Sequence, residues 1–523
     1  MKKQQIWSLA FLAMLLIQLI VQIVTITAVA RLQMLPGLLI ALMIIVFLAY
    51  DGLVFFFMFM RGKKPKTRKM ARMIRKRRRI ISCVLFVIML CGCLVVSTVA
   101  NDVRKTFEAA QTAMQPSENE EDTGIKRSVY VRTHDGAETL ADAKSYNYGI
   151  VKNYDDVCTQ QAVDAIEAQI GGTIQTTGYL SVFEMADALL SGKLDAMILN
   201  SGYISILEAD ERYETFSDQT RVLESVKIEG DGQELDGSGL ALNAEADIAE
   251  NGKLKPFIVY ISGSDSRQGI LDGNTRSDVN ILAVVNPETR QVLLLNTPRD
   301  YYVPINRAEG AYDKLTHCGV YGIKCSMDAL ASLYSCDVNY YAQVNFEGFE
   351  KLVDAIGGIT IDSKVEFTLY KNAGKIKVGE NKLDGKKALA FARTRKGLDG
   401  GDLDRGKNQM RVIKAIVDKA TTGTTIITNY ADIMKSIDGM FVMNIPSSLI
   451  GEVVKRQLTD MSGWNIQSFS VKGTSEELEC YSAPGQLLYA IKPSEKYVTR
   501  ASELIQKVIA GEVITEEMIA LSA

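Results

Sequence analysis

Three long apolar runs near the N-terminus constrain this chain more than any other feature of its sequence. They span Ile6–Ala30, Leu38–Met60 and Ile80–Ala100. Each is long enough to cross about 30 Å of hydrocarbon as a helix, which takes roughly 20 residues. We therefore predict a membrane anchor of three helices over residues 1–100, with the first run retained because two more spans follow it. Asp51, an acidic residue in the second run, is expected to lie at a contact between helices.

The segment between the second and third runs predicts the direction of the chain. Residues 61–79 contain many lysines and arginines and no acid. A short basic loop between two spans stays in the cytoplasm, so we expect a multi-pass protein of the cell membrane. Its N-terminus and basic loop 61–79 would lie inside, and residues after about 100 would lie outside. Such a loop also resembles a nucleic-acid patch, but its position between spans and the net charge of -3 argue against nucleic acid as a partner.

The remainder of the chain is predicted to form a linker and two α/β domains. Residues 101–127 are polar and are expected to be the linker. Residues 128–247 alternate short strand and helix patterns, which is typical of an α/β unit with a largely parallel sheet. We expect an accessory domain there, and the sequence leaves open whether it binds a ligand or acts as a spacer or docking module. Residues 255–523 are expected to form a second α/β domain with a central sheet flanked by helices.

The motifs that are missing narrow the chemistry. The chain has two histidines, no G-x-S-x-G elbow and no Walker-type phosphate loop. These observations argue against a histidine-rich zinc site and against a Ser-His-Asp triad.

Aspartate and arginine recur together at the ends of three predicted strands between residues 257 and 296. Strand ends are where α/β proteins display the residues of their sites. Carboxylates suit Mg²⁺, which typically bridges protein carboxylates and phosphate oxygens, and guanidinium groups suit phosphates. A single pair would be weak evidence, because surface ion pairs are common. The three pairs are Asp265 with Arg267, Arg276 with Asp278, and Arg299 with Asp300.

A second group of charged residues follows a predicted helix over Leu383–Ala392. It begins with Arg393 and Arg395 and continues after a glycine-rich loop with Asp402 and Arg405. A helix is predicted over Gly406–Lys419, and Gln409 lies one turn after Arg405 on the same side. Because a helix N-terminus also favours anions, these side chains are expected to converge on phosphate. A solvated basic helix start is the alternative that the residues themselves leave open.

The cysteines and the C-terminal region carry less information. The number of cysteines after the third run is odd. The sequence leaves open whether a disulfide forms among Cys318, Cys325 and Cys336, or between one of them and Cys480. Residues 429–523 are expected to complete the sheet and its covering helices, with a loop over Lys472–Pro484.

Several motifs occur together and in order in this region. Gly-Ser-Asp-x-Arg, Arg-Ser-Asp, Pro-Arg-Asp, Val-Asn-Phe with Gly-Gly-Ile, and Phe-Ala-Arg-Thr-Arg follow one another between residues 263 and 395. In this respect residues 255–420 resemble the LytR–CpsA–Psr family of cell-wall glycopolymer ligases. The resemblance implies an α/β domain with a long apolar pocket for a polyprenyl chain. Asn408 departs from the family, which often has arginine before the glutamine, and the three spans and the middle domain depart from its simplest members.

The resemblance also implies residue roles. Asp265 and Asp278 would coordinate Mg²⁺, and Asp402 and Arg405 fall in the motif after the paired arginines. Arg276, Arg299, Arg393 and Arg395 would be catalytic. The pyrophosphate would be held by Arg267, Arg276, Arg299, Arg393, Arg395, Arg405 and Gln409.

The implied reaction is a phosphotransfer. A glycopolymer such as teichoic acid or capsular polysaccharide would move from an undecaprenyl pyrophosphate carrier to peptidoglycan. Two other functions fit the same residues: a hydrolase of the lipid pyrophosphate, and a non-catalytic regulator that binds lipid or glycan.

Overall fold

The chain divides into two compact units in the computed structural model. The first comprises Met1–Ala110 with Ser447–Ser462, and the second comprises Gln111–Pro446 with Gly463–Ala523. The structure describes residues 2–32, 35–59, 68–114, 125–152, 156–229, 253–264, 275–306, 310–395, 402–421, 440–460 and 462–520.

Three apolar helices dominate the first unit. They are α1 (Lys2–Ala30), α2 (Gly37–Phe59) and α3 (Arg68–Met114). Each contains a stretch that is long and apolar enough to cross a membrane, namely Leu9–Ala30, Gly37–Phe57 and Lys76–Asp102, as predicted. Asp51 lies at a helix contact, as expected, where its Oδ1 accepts hydrogen bonds from the side-chain amides of Gln18 at 2.5 Å and Gln22 at 3.0 Å.

The predicted loop over 61–79 is wrong for its second part, because α3 already begins at Arg68. Arginine, lysine and methionine are good helix formers, so the basic residues continue the third span as a helix.

The second unit begins with a five-stranded sheet. Its strand order is β3-β2-β4-β1-β5, with β2 parallel to β3 and β4, and β1 antiparallel to β4 and β5. The sheet is therefore mixed, whereas the sequence pattern predicted a largely parallel one. The chain order is β1 (Ile125–Arg132), β2 (Asn147–Val151), α4 (Asp156–Ile170), β3 (Gln175–Tyr179), α5 (Val182–Leu190), β4 (Ala196–Leu199), α6 (Gly202–Leu207), α7 (Phe216–Gln219) and β5 (Thr220–Ile228).

A six-stranded sheet forms the centre of the following region. Its order is β16-β11-β6-β7-β8-β17. The strands and helices up to β16 are β6 (Phe257–Ser264), β7 (Ser277–Asn286), β8 (Gln291–Asn296), β9 (Tyr302–Pro304), β10 (Tyr312–Lys314), α8 (Leu315–Cys318), α9 (Ile323–Tyr334), β11 (Tyr340–Asn345), α10 (Phe346–Ala355), β12 (Ile359–Ser363), β13 (Phe367–Thr368), β14 (Lys375–Ile376), β15 (Gly379–Leu383), α11 (Gly385–Arg393), α12 (Asp402–Thr421) and β16 (Phe441–Met443).

The C-terminal elements only partly follow the prediction. β17 completes the sheet by pairing parallel with β8. The predicted loop over Lys472–Pro484 is wrong, because β18 covers most of it and pairs with β19 in a separate hairpin. The elements are α13 (Ser447–Asp460), β17 (Asn465–Ser470), β18 (Gly473–Cys480), β19 (Ala483–Pro493), α14 (Glu495–Ala510) and α15 (Glu516–Ile519).

The two sheets share one hydrophobic core. A single cluster of buried side chains includes Leu189 and Tyr203 from the first sheet region and Tyr260 and Leu293 from the second. The hydroxyls of Tyr203 and Tyr321 lie 2.9 Å apart in this contact. The predicted division into domains at residues 128–247 and 255–523 stays a prediction, and the shared core stabilises both parts together. The mixed α/β architecture with three apolar N-terminal helices confirms the predicted fold class.

Candidate functional site

Strand direction brings the predicted charged residues to one edge of the six-stranded sheet. β6 is antiparallel to β7, β7 is antiparallel to β8, and β11 is parallel to β6. The end of β6, the start of β7, the end of β8 and the end of β11 therefore meet at the same edge. Arg276 and Asp278 stand at the start of β7, and Arg299 follows β8.

A cavity of about 1000 Å³ opens at this edge. Its polar lining comprises seven of the predicted site residues together with Asn345, Glu366, Thr368, Lys371, Asn372 and Thr394. Those seven are Arg276, Asp278, Arg299, Arg393, Arg395, Arg405 and Gln409. These side chains, which lie far apart in the chain, thus line one cavity.

Arg299 stands in a short chain of ion pairs. Its guanidinium contacts Oδ1 of Asp278 at 2.9 Å and Oδ2 of Asp300 at 3.3 Å. Lys314 approaches the other oxygen of Asp300 at 3.7 Å. Asp300, whose role the sequence left uncertain, lies outside the cavity lining and holds Arg299 from behind. These pairs fix the direction of the guanidinium towards the cavity before any ligand binds.

Arg276 has spare hydrogen-bonding capacity. Its Nε is buried and has no hydrogen-bond partner within the described ranges. A buried donor without a partner costs roughly 1–3 kcal/mol. An anionic ligand in the cavity would remove that cost, so this atom favours an oxyanion as the ligand.

Arg393 is held between two aromatic rings. The carbon at the centre of its guanidinium lies 4.1 Å from the ring centre of Phe346 and 4.8 Å from that of Tyr370. The Thr394 hydroxyl donates to the carbonyl of Ala390 at 2.7 Å and accepts from the backbone N–H of Tyr370 at 2.9 Å. Thr394 therefore ties the turn that carries Tyr370 to the end of α11, where Arg393 stands.

Sequence reasoning did not assign Phe346 and Tyr370 to the site. The Val-Asn-Phe motif pointed to Phe346, because Asn345 caps α10 by accepting from the Gly348 N–H at 2.8 Å and so places Phe346 at the helix start. Tyr370 had no such signal. Its turn depends on Lys371 and Asn372, which both adopt positive φ angles of 51° and 56°, a conformation that is uncommon for residues other than glycine.

Helix α12 supplies the remaining polar groups. Arg405 and Gln409 are both buried and line the cavity. Asn408, the departure from the family pattern, turns away from the cavity, and its amide approaches the carbonyl of Phe391 at 3.4 Å. The departure therefore removes no contact from the cavity wall. Asp402 is the first residue of α12, and its side chain lies outside the described set.

The rest of the cavity wall is apolar. Ile261 and Val279 come from the sheet, while α10, α11, α12 and β13 cover the opposite side with large aliphatic and aromatic side chains. These are Phe346, Phe349, Phe367, Leu369, Leu389, Val412 and Ile413. The lining thus combines apolar side chains that suit a hydrocarbon chain with guanidinium groups that suit a multiply charged anion.

The predicted metal site is only partly visible. Asp278 lines the cavity, whereas Asp265 and Arg267 lie outside the described residues. Within the described ranges, no group of three or more His, Cys, Asp or Glu side chains is placed to hold a metal. Mg²⁺ usually binds through one or two carboxylates and substrate phosphates, so the hard oxygen donor of Asp278, which lines the cavity beside Arg299, fits this ion.

Cys318, Cys325, Cys336 and Cys480 form no disulfide in the structure. The neighbouring Cys325 thiol and burial raise the pKa of Cys318 well above its ordinary value, so this thiol stays protonated at neutral pH.

Comparison with known proteins gives a family match and several relatives. The model of the LytR_cpsA_psr family matches residues 215–496. The polyisoprenyl-teichoic acid–peptidoglycan teichoic acid transferase TagU of Bacillus subtilis is 33% identical over 235 residues, which are 45% of this chain and 70% of that protein. TagU of Enterococcus faecalis is 32% identical over 184 residues, which are 35% of this chain and 59% of that protein, less than two thirds of its length.

The solved structures that match this chain include those of B. subtilis TagV and TagU. TagV has 22% identity and a TM-score of 0.41 over 49% of this chain and 98% of its own. TagU has 26% identity and a TM-score of 0.39 over 50% of this chain and 100% of its own.

Proposed function

The chain belongs to the LytR–CpsA–Psr family, and on this basis we propose that it is a membrane-anchored transferase. It moves a glycopolymer from a polyprenyl pyrophosphate carrier to peptidoglycan. The observation that supports this most is the single cavity whose lining combines Arg276, Arg299 and Arg393 with a wall of apolar side chains. The relatives named as teichoic acid transferases make teichoic acid the first polymer to test.

The cavity matches the two parts of such a carrier. The aliphatic and aromatic wall takes the polyprenyl chain, since burying apolar surface contributes roughly 25 cal/mol per Å². The arginines take the pyrophosphate through charge-assisted hydrogen bonds. Arg299 is already oriented by Asp278 and Asp300, and Arg393 by its two aromatic neighbours, so little side-chain entropy is lost on binding.

The reaction is a displacement at phosphorus. A hydroxyl of the glycan acceptor attacks the phosphorus that bears the polymer, and the bond to the bridging oxygen breaks. Polyprenyl phosphate leaves with the electron pair, and the hydroxyl proton passes to a carboxylate. Asp278 and Glu366 both line the cavity and are the candidates for this role. The protein contributes chiefly positioning and stabilisation of charge, as phosphoryl transfer requires.

We also propose that Mg²⁺ is the cofactor, held by Asp278 together with Asp265. When bound, the ion supplies positive charge that neutralises the pyrophosphate oxygens. Arg276 and Arg299 act on the same oxygens from the protein side.

The location follows from the basic segment. By the positive-inside rule, residues 61–79 remain in the cytoplasm and the second unit works on the outer face of the membrane, where polymer and acceptor meet.

A transfer assay tests this function. Full-length protein in detergent is incubated with a labelled lipid-pyrophosphate oligosaccharide, peptidoglycan fragments and Mg²⁺. We expect label on the glycan and release of polyprenyl phosphate, with turnover stopping on addition of EDTA. Arg299→Ala and Arg393→Ala should each lower turnover at least about 100-fold, the effect of removing one preorganised group that stabilises developing charge.

Arg212→Ala is the matched control. Arg212 also forms an ion pair, with Asp210 at 2.7 Å, and also lies over a tyrosine ring, that of Tyr213 at 5.2 Å, but it stands outside the cavity. Its loss should leave turnover unchanged. Label in free oligosaccharide phosphate would show a hydrolase, and unchanged turnover in both cavity variants would refute the site.

A further inference from the structure

A second cleft of about 560 Å³ lies between the five-stranded sheet and two hairpins of the following region. One wall is formed by the carboxyl ends of β2 and β3, and the other by the β9–β10 and β18–β19 hairpins. Its lining shares no residue with the large cavity. Its volume lies within the range of roughly 300–1,000 Å³ that small-molecule sites occupy.

The sheet wall carries two charged side chains of opposite sign. Lys152 follows β2, and Glu184 stands in the first turn of α5, after β3. The carboxyl ends of parallel strands are where open α/β sheets bind ligands. Neither side chain forms an ion pair within the described part of the chain, so both are available to a ligand.

The hairpin wall is aromatic. The rings of Tyr302 and Tyr312 are stacked, with centres 5.2 Å apart and planes at 20°. Tyr312 is 42% exposed and presents a flat face, and Tyr481 lies beside it in the lining. Glu479 adds a second carboxylate, which accepts a hydrogen bond from the backbone N–H of Gly485 at 2.8 Å.

The two hairpins are fixed to each other without any ligand. The Tyr302 hydroxyl donates to the carbonyl of Glu479 at 2.8 Å, and the N–H of Tyr481 donates to the carbonyl of Tyr312 at 2.9 Å. Asp313 is fully buried and accepts from the N–H of Ser482 at 2.8 Å. A wall that is preorganised in this way loses little entropy on binding.

We propose that this cleft binds a carbohydrate unit. A simple anion would face the two carboxylates, a simple cation would face Lys152, and an apolar ligand would desolvate all three charges without compensation. A sugar meets each group: its hydroxyls accept from the ammonium and donate to carboxylates, and its C–H face packs on the exposed ring of Tyr312.

The site does not depend on the proposed transfer reaction, because it lies apart from the arginines and Asp278. It gives residues 125–228 a binding role, which the sequence left open beside that of a spacer.

Saturation-transfer NMR and calorimetry on the full-length protein in detergent test the inference. The probes are a tetramer of β-1,4-linked N-acetylglucosamine and maltotetraose, which lack lipid and pyrophosphate. The cleft variants distinguish binding in this cleft from binding of a glycan as acceptor at the large cavity. We expect saturation transfer to at least one of them. Tyr312→Ala should weaken binding about tenfold, equivalent to about 1.4 kcal/mol, and Lys152→Glu should weaken it as well.

Tyr489→Ala is the matched control, because Tyr489 is a similarly exposed strand tyrosine (48%) outside the cleft. It should bind as the unmodified protein does, and so should Arg393→Ala, which separates this site from the transfer site. Lys152→Glu changes a side chain at the cleft surface and keeps the test informative if Tyr312→Ala misfolds. No binding of either sugar, equal loss in Tyr489→Ala, or full binding in both cleft variants would overturn the proposal.

Discussion

At the scale of single residues, Arg393 shows how neighbours prepare a charged group for a ligand. A guanidinium within about 6 Å of a ring centre gains roughly 0.5–2 kcal/mol, and Arg393 has two such rings. Replacing Tyr370 by leucine keeps an apolar side chain but removes one ring face, so the arginine samples other directions. We expect kcat to fall about tenfold with a smaller change in KM, measured in the transfer assay.

Tyr370→Phe is the control for that prediction, because it retains the ring and loses only the hydroxyl. It should keep kcat within about twofold of the unmodified protein. If leucine and phenylalanine lowered kcat equally, the ring contact would not be the cause.

His317 is buried, and its Nδ1 lies 2.7 Å from Asp313 and 2.8 Å from the Ser482 hydroxyl. Burial lowers the pKa of this imidazole below 6.5, although Asp313 opposes the shift. Between the lowered pKa and 6.5 the unfolded chain binds more protons than the folded one. The contribution of His317 to the free energy of unfolding should therefore be fully present above pH 6.5. It should decrease as the pH falls from 6.5 through the lowered pKa.

Two measurements check this pH dependence. In His134→Gln, a single imidazole remains, and its NMR titration should have a midpoint below 6.5. Denaturant unfolding should show lower stability at about pH 5.5 than at about pH 7.5. A midpoint above 6.5 would contradict the prediction, because the Asp313 carboxylate would then outweigh burial.

At the scale of elements, Gly319 couples the segment after α8 to the start of β7. A side chain at this position would collide with the carbonyl of Thr275 and would lie 3.1 Å from the N–H of Ser277. Gly319→Ala must therefore push the backbone on both sides of Arg276. Overpacking of this kind costs about 1–3 kcal/mol, and the displaced arginine should lower turnover at least about tenfold.

Gly136→Ala serves as the comparison, since no atom of the described residues, its two chain neighbours aside, lies within 4 Å of the place that the added methyl group would occupy. Its thermal unfolding and turnover should match those of the unmodified protein. Unchanged turnover in a folded Gly319→Ala variant would show that this packing does not position Arg276.

The sequence predicted strands best where they are buried. β8 is the last of the three strands that were expected between residues 257 and 296, and it is buried at every position. β18 was missed because it is exposed at most positions, so its run Thr-Ser-Glu-Glu-Leu-Glu has no strong apolar alternation. The motifs predicted that the arginines would converge. They did not predict the position of Tyr370, because it reaches Arg393 through a turn with positive φ angles that no local sequence pattern indicates.

At the scale of the whole molecule, the length of α3 bears on the proposed location of the second unit. It contains 47 residues, which correspond to about 70 Å at 1.5 Å per residue, so it extends well beyond a hydrocarbon core of about 30 Å. The positive-inside rule predicts that its basic first turns lie on the cytoplasmic side, and in that orientation its other end continues outside. Protease added to intact spheroplasts should therefore digest residues after about 115 and leave a protected fragment of roughly the first 110 residues.

The same reasoning predicts what charge reversal does to orientation. Replacing Arg75, Arg77, Arg78 and Arg79 by glutamate removes much of the positive charge that holds this end of α3 inside. Part of the protein should then resist protease in spheroplasts, and the same part should be digested in inverted vesicles. Because the second unit meets an extracytoplasmic acceptor only in the predicted orientation, transfer in whole cells should decrease in the same proportion, while turnover in detergent stays unchanged. If the second unit of the unmodified protein resisted protease in spheroplasts and was digested only in inverted vesicles, the arginine cavity would lie inside the cell, and peptidoglycan would be excluded as its acceptor.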